Sequence, residues 1–178
     1  MAQPGREINN PRTRERIVFR STSAGSGREL LQFDYTAAPG VAGPPEHIHL
    51  DQEERFAVTA GVARFRVGGR ELVLGAGESA SVPPRTPHTF ANGGDDDLRM
   101  TIEIEPERNM RAFFETLFAL GRAGKTDARG RAGLLQDAVL AREYGVFLAP
   151  PPVWLQRPAI AVLALVGRLL GKRARYDD

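Results

Sequence analysis

The sequence predicts a mainly β fold, a sandwich or barrel of the jelly-roll kind closed by C-terminal α-helices. Three observations carry that expectation. Apolar and polar residues alternate in short runs between about residues 15 and 105, glycines and prolines separate those runs, and the apolar spacing becomes helical after Pro106. The chain divides accordingly into a flexible N-terminal arm at 1–14, a β-barrel at 15–105 and a helical extension at 106–178.

At 178 residues the chain is one domain's worth, enough to bury about 70% of its unfolded surface without a covalent staple. There are no cysteines, which excludes disulfides, thiolate zinc sites and cysteine nucleophiles. Lys and Arg number 24 against 22 Asp and Glu, a net charge of +2. Acid and base are interspersed over most of the length, so no nucleic-acid partner is expected. The first twenty residues lack the apolar core of a signal peptide, and a cytoplasmic protein is the default expectation.

Residues 1–14 carry two prolines, a glycine and several charges before any apolar run, hence the arm. Glu15 to Arg20 reads as a short strand, 21–27 as a turn, and 28–39 as a longer strand. Glu54, Phe56 and Val58 share one face of the next strand. Val62 to Val67 and Arg70 to Leu74 flank Gly68-Gly69, a two-residue hairpin signal. Glu78 to Val82 is another strand, the proline-rich turn at 83–87 presents His88, and His88 shares a face with Phe90. Leu98 to Glu105 is the clearest alternating strand, with Met100, Ile102 and Ile104 set against Thr101, Glu103 and Glu105.

The three histidines of the chain, His47, His49 and His88, all lie within one stretch of this β region. Positions 47 and 49 project to the same side of an extended segment. Glu54 falls out of phase with His49 by one residue, so a bend or bulge has to intervene if the carboxylate is to join them. Neutral imidazoles and a carboxylate are a common ligand set for a divalent transition metal and leave open positions in an octahedral shell.

In residue type and spacing the stretch resembles the cupins, whose motifs are G(X)5HXH(X)3,4E(X)6G and G(X)5PXG(X)2H(X)3N. His47, His49, Glu54 and Gly61 fit the first, and Gly77, Pro83, His88 and Asn92 fit the second. Val41 stands at the opening glycine of the first motif, with Gly40 one residue earlier. Arg85 stands at the glycine of PXG, although Arg does not readily take positive φ.

The resemblance implies a cupin-type double-stranded β-helix over roughly residues 15–105, with His47, His49, Glu54 and His88 binding one divalent metal, Fe, Mn, Ni or Zn. It implies a homodimer built through the early strand and an ion inside an apolar cavity. Phe56, Phe90 and Arg99 are the expected substrate pocket, and Gln32, Asp34 and Tyr35 are further candidates around the ion.

Three functions are compatible with such a site. The first is a metal-dependent dioxygenase or isomerase acting on a small organic molecule. The second is a module that binds or senses a small ligand without turnover, and the third is a structural barrel with the metal as a staple.

After Pro106, Met110, Phe113, Phe114, Leu117, Phe118 and Leu120 form a helical stripe that Gly121 and Gly124 end. A second helix is expected over about 131–144, with Leu134, Leu135, Ala138 and Ala141 facing one way. The connection between the two is too long for a DNA-reading helix-turn-helix. After Pro150, Pro151 and Pro152 comes an apolar run, Ala159 to Leu170, interrupted by Arg168 and shorter than a bilayer crossing. It is expected as a helix packed on the barrel or on a second subunit, in preference to one lying in a membrane interface.

Overall fold

The computed structural model describes residues 5–20 and 29–176. Two antiparallel sheets face each other across the core. One has the order β1 (Glu7–Asn10), β2 (Glu15–Phe19), β3 (Leu31–Ala37), β10 (Leu98–Glu105), β5 (Glu53–Ala60), β8 (Ser79–Val82). The other runs β11 (Val146–Leu148), β4 (His47–His49), β9 (His88–Asn92), β6 (Val62–Val67), β7 (Arg70–Gly75). Three helices follow the main strands in sequence: α1 (Met110–Arg122), α2 (Leu134–Tyr144) and α3 (Val153–Leu169).

Period-two alternation builds the sandwich as expected. Leu31, Phe33, Tyr35 and Ala37 of β3 and Leu98, Met100, Ile102 and Ile104 of β10 all point inward and are buried. From the opposite sheet Ala63, Phe65 and Phe90 meet them. Gly68 and Gly69 both take positive φ, 56° and 81°, and close the β6–β7 hairpin with the right-handed twist that such turns match. The early strand and the hairpin strands therefore form where the sequence places them. The turn expected at 21–27 lies outside the described residues.

The N-terminal arm does not hold for residues 7–10. They form β1, paired antiparallel with β2 from Glu7↔Val18 to Asn10↔Glu15, with Ile8 and Asn10 buried. Gly121 explains part of this: a Cβ there would collide with the side-chain amide of Asn10, so α1 approaches β1 closely enough to cover it. That also corrects the reading of Gly121 as a helix end. α1 runs past it to Arg122 and closes at Gly124, whose φ of 68° allows Lys125 to donate its N–H to the Leu120 carbonyl in a Schellman closure.

The segment after residue 105 is not purely helical. Its β11 returns to the barrel and pairs with β4, in the register Val146↔His49, Phe147↔Ile48, Leu148↔His47. Phe147 and Ile48 are both buried, so the strand that carries two of the histidines is flanked on one side by the C-terminal segment.

The expected face of α2 is rotated. Leu134 is exposed, whereas Gln136, Ala138, Val139, Leu140 and Tyr144 are buried. Two partners rather than one set this pattern. Leu140 and Tyr144 pack with Leu120 of α1, while Ala138 and Val139 pack with Ala164 of α3. Gly167 makes the second contact possible, since a Cβ there would stand 2.9 Å from the Leu135 carbonyl oxygen. α3 therefore docks on α2 by a narrow strip of small residues.

Candidate metal centre

β4 delivers His47 and His49, and β9 delivers His88 directly opposite His47 in the same sheet. Glu54 comes from the other sheet. A bend at residues 50–52 carries the chain across the sandwich, which is the change of direction that the spacing required. On β5 Glu54 occupies the inward phase shared with Phe56 and Val58, with Ile104 on one neighbouring strand and Val82 on the other. A carboxylate in an otherwise apolar inward row is therefore fixed by strand alternation alone.

The four side chains converge. One ligand atom from each of His47, His49, Glu54 and His88 lies within 4.8 Å of the others. His88 Nε2 is 2.6 Å from Glu54 Oε2, and His49 Nε2 is 3.6 Å from the same oxygen. His49, Glu54 and His88 are buried and His47 is half-buried, so the cluster is reached from the His47 side.

Two backbone carbonyls hold the rings. His47 Nδ1 lies 2.9 Å from the Pro45 carbonyl oxygen, and His88 Nδ1 lies 3.0 Å from that of Thr86. A carbonyl only accepts, so each Nδ1 carries the proton; the Nε2 lone pair of His47 is left for the site, while Nε2 of His88 donates to Glu54 Oε2, a contact that a bound ion would replace. The same device, a carbonyl two residues upstream, serves both strands.

His49 differs. It is 3% exposed, and neither ring nitrogen has a hydrogen-bond partner. The buried Gln52 sits beside it, near enough to favour its charged form, without completing a bond of normal geometry. An unsatisfied buried imidazole costs about 1–3 kcal/mol. A metal ion that accepts the lone pair removes the share of that cost belonging to the acceptor nitrogen, and the donor set of three imidazoles and one carboxylate fits such an ion.

Electrostatics point the same way. Burial, reinforced by the neighbouring His49 and His88, lowers the His47 pKa to about 3. Burial likewise lowers His49 against the pull of Glu54. Burial alone would raise Glu54, but the fields of the histidines and the His88 hydrogen bond more than reverse it, so the carboxylate is held below its usual range. For His88, burial is outweighed by the Glu54 hydrogen bond and charge, and its pKa is raised. Glu54 ionised and His47 and His49 neutral are the forms that bind a divalent ion, whereas His88 has to give up the proton it shares with Glu54 before it can bind one.

The turn at 83–87 braces this arrangement. Arg85, at the position where the cupin motif has glycine, does take positive φ, 65°, and donates its backbone N–H to the His49 carbonyl at 2.7 Å. The turn is thus kept despite its residue. Asn92 acts at the far end of β9, donating to the carbonyls of Ala37 and Asp96 and accepting from the Gly94 N–H. It locks a loop and is not among the four converging side chains.

Phe56 and Phe90 lie in the interior, their rings 5.5 Å apart, and Phe56 stands 6.4 Å from the His88 ring. Tyr35 is buried, edge-on to Phe90 at 5.3 Å, with its hydroxyl donating to Glu15. Arg99 is not part of this interior. It alternates with the buried Leu98 and Met100, so its side chain points to solvent. Gln32 and Asp34 also face outward, bonded to Glu103 and to Arg20 and Thr101. Sequence reasoning did not identify Gln52 or β11. Gln52 lies between His49 and Glu54 in the chain, which is the one signal that could have singled it out.

The family model described as "Cupin domain" matches residues 33–105. Over 151 residues the chain is 29% identical to "Probable oxidoreductase virH" of Hypocrea virens, an alignment covering 78% of this chain and 68% of that protein. Among solved structures it is similar to an RmlC-like cupin from Shewanella frigidimarina, with a TM-score of 0.50, 21% identity, and coverage of 58% of this chain and 86% of the other. KdgF from a Halomonas species gives a TM-score of 0.49 at 16% identity, over 55% of this chain and 84% of that one.

Proposed function

We propose, from the premise that this chain belongs to the cupin superfamily through residues 33–105, that it is a metal-dependent oxidoreductase acting on a small organic molecule. The observation that carries this is His49, buried among His47, His88 and Glu54 with no hydrogen bond of normal geometry at either ring nitrogen. The oxidoreductase class is favoured over an isomerase by the likeness to a protein named as an oxidoreductase, which spans most of both chains.

In this reading His47, His49, Glu54 and His88 hold one divalent transition ion, with iron or manganese suiting the redox chemistry better than zinc or nickel. When bound, such an ion supplies Lewis acidity toward a carbonyl or enolate and, if redox-active, one-electron chemistry of the kind a dioxygenase uses. The protein does the rest. The Pro45 and Thr86 carbonyls orient two rings, and Phe56 and Phe90 form an apolar wall that excludes water and packs on the substrate. The half-buried His47 side is the substrate's approach.

A second reading, a module that holds a small ligand without turnover, draws on the aromatic character of that wall, which offers contact surface without a general base. Oxygen uptake by the iron-loaded chain over a panel of small enolisable acids and phenols tests the choice. Uptake that disappears in Glu54→Gln supports the enzyme, whereas retained ligand with no product supports the binding module.

The chain is further proposed to act in the cytoplasm and to form a homodimer through β1, the terminal strand of its sheet, which pairs with no further strand among the described residues although Arg122 donates to its Asn9 carbonyl. Sedimentation of wild type against Asn9→Pro checks this: a dimer lost in the variant agrees, and a monomeric wild type does not.

A further inference from the structure

The helix α3 is apolar where it should be polar. Only Ala164 and Gly167 of its 17 residues are buried. Trp154, Leu155, Val162, Leu165, Leu169 and Leu170 are between 54% and 78% exposed. At 3.6 residues per turn these side chains share the side of α3 away from α2. Arg157 and Arg168, eleven residues apart and so about three turns, run along one border of that face in a single row.

Charge says what covers it. Between Glu143 and Asp177 the chain has no acidic residue and five basic ones, Arg157, Arg168, Lys172, Arg173 and Arg175. Of these, Arg168 alone is in an ion pair among the described residues, with Glu143 at 2.9 Å. A groove of about 360 Å³ lies beside the face, lined by Arg142, Ala161, Val162, Ala164, Leu165 and Arg168, so apolar walls carry cations at their rim. Arg142 enters no ion pair among the described residues.

From this we infer that α3 docks the protein onto an anionic lipid bilayer, lying flat in the headgroup region with its apolar side down and its cations on lipid phosphates and carboxylates. The helix is too short and too interrupted to cross, which agrees with the absence of any spanning helix among the described residues. Its axis is held against α2, so the whole face is presented at once and no ordering is needed on contact. Trp154 is the kind of amphipathic ring found at such boundaries. A second copy of the chain suits the face less well, because it would bring the same five cations against few acids, of which Glu143 is already paired with Arg168. The proposal is independent of the metal centre.

Trp154 is the chain's one tryptophan, which makes the test direct. The full chain is mixed with vesicles of phosphatidylcholine containing about 30% phosphatidylserine, and with phosphatidylcholine alone, while Trp154 emission and vesicle flotation are recorded. Expected are a blue shift and flotation with the anionic vesicles, at least tenfold weaker with neutral ones and weakened by added salt. The double variant Leu165→Gln/Leu169→Gln should lose both while keeping its circular dichroism and melting temperature, since both positions are exposed. A quadruple Arg157, Lys172, Arg173, Arg175 to Gln variant should lose the preference for the anionic lipid. Equal binding to neutral vesicles, or no shift with either, overturns the inference. So does a dimer that dissociates in Leu165→Gln/Leu169→Gln without any vesicle binding, which would make a second copy the occupant.

Discussion

The barrel interior and α3 break the ordinary distribution of residues in opposite directions. Inside, a carboxylate and three imidazoles sit among phenylalanines; outside, a tryptophan and several leucines face water. Buried polar groups and exposed apolar faces are the two departures that carry functional information, because both cost free energy unless something further is bound. The interior points to a ligand of atomic size and positive charge. The helix points to a surface, extended and negative. Both are anchored by the same C-terminal segment, since β11 flanks the histidine strand and α3 follows it in the chain.

Two substitutions within that segment should separate its roles. Phe147→Ala removes a buried ring beside Ile48 and is expected to destabilise the chain by about 3–5 kcal/mol in chemical denaturation. A loss under 1 kcal/mol would mean that β11 is not an integral strand of the barrel.

Acid should distinguish the interior next, in protein stripped of metal. His47 and His49 have folded pKa values below the ordinary 6.5, so the stability they contribute is full above that pH and is lost as pH falls and the unfolded chain takes up protons. His88, raised, works the other way, contributing below 6.5 and losing that contribution as pH rises. Glu54, lowered from 4.5, adds a further loss below that value. The expected profile declines from pH 6.5 downward by about 1.4 kcal/mol per unit for each net proton, and steepens under 4.5. Equilibrium unfolding across pH 7 to 4 measures it; a flat profile would contradict buried neutral histidines.

A smaller effect tests the turn that braces β4. Arg85→Gly relieves a positive φ at some cost in unfolded-chain entropy and should stabilise by up to about 1 kcal/mol. A loss of stability there would show that the Arg85 side chain contributes more than its backbone strain costs. Smallest of all, Leu165→Gln on the bare face of α3 should change stability by less than about 0.5 kcal/mol, against the large cost at Phe147. A cost comparable to Phe147→Ala would mean that Leu165 is covered in the folded chain.

How far these regions could be read from sequence differs for physical reasons. His47, His49, His88 and Glu54 were legible because strand alternation and turn chemistry are local: the phase of Phe56 and Val58 dictates where Glu54 points, and Gly68-Gly69 dictates its hairpin. The alternation that sent Met100 inward also sent Arg99 outward, so its placement in the pocket went against a signal already present. β1 and β11 were not legible, because runs as short as EINN and VFL become strands only when a distant strand offers its edge. The buried face of α2 was hidden for a related reason: two partners on different sides of one helix blur its apolar stripe. For α3, sequence supplied the apolar run and its cations, but the narrow contact through Ala164 and Gly167 is a property of packing.

The convergence of four side chains on one ion is tested most directly by elemental analysis of the protein purified without an affinity tag, wild type beside His49→Ala. The expected result is close to one transition-metal ion per chain in the wild type, and loss of nearly all of it in a variant that remains folded. A folded wild type without metal that takes up none on incubation with iron, manganese, nickel or zinc would contradict the assignment, as would equal metal in both proteins.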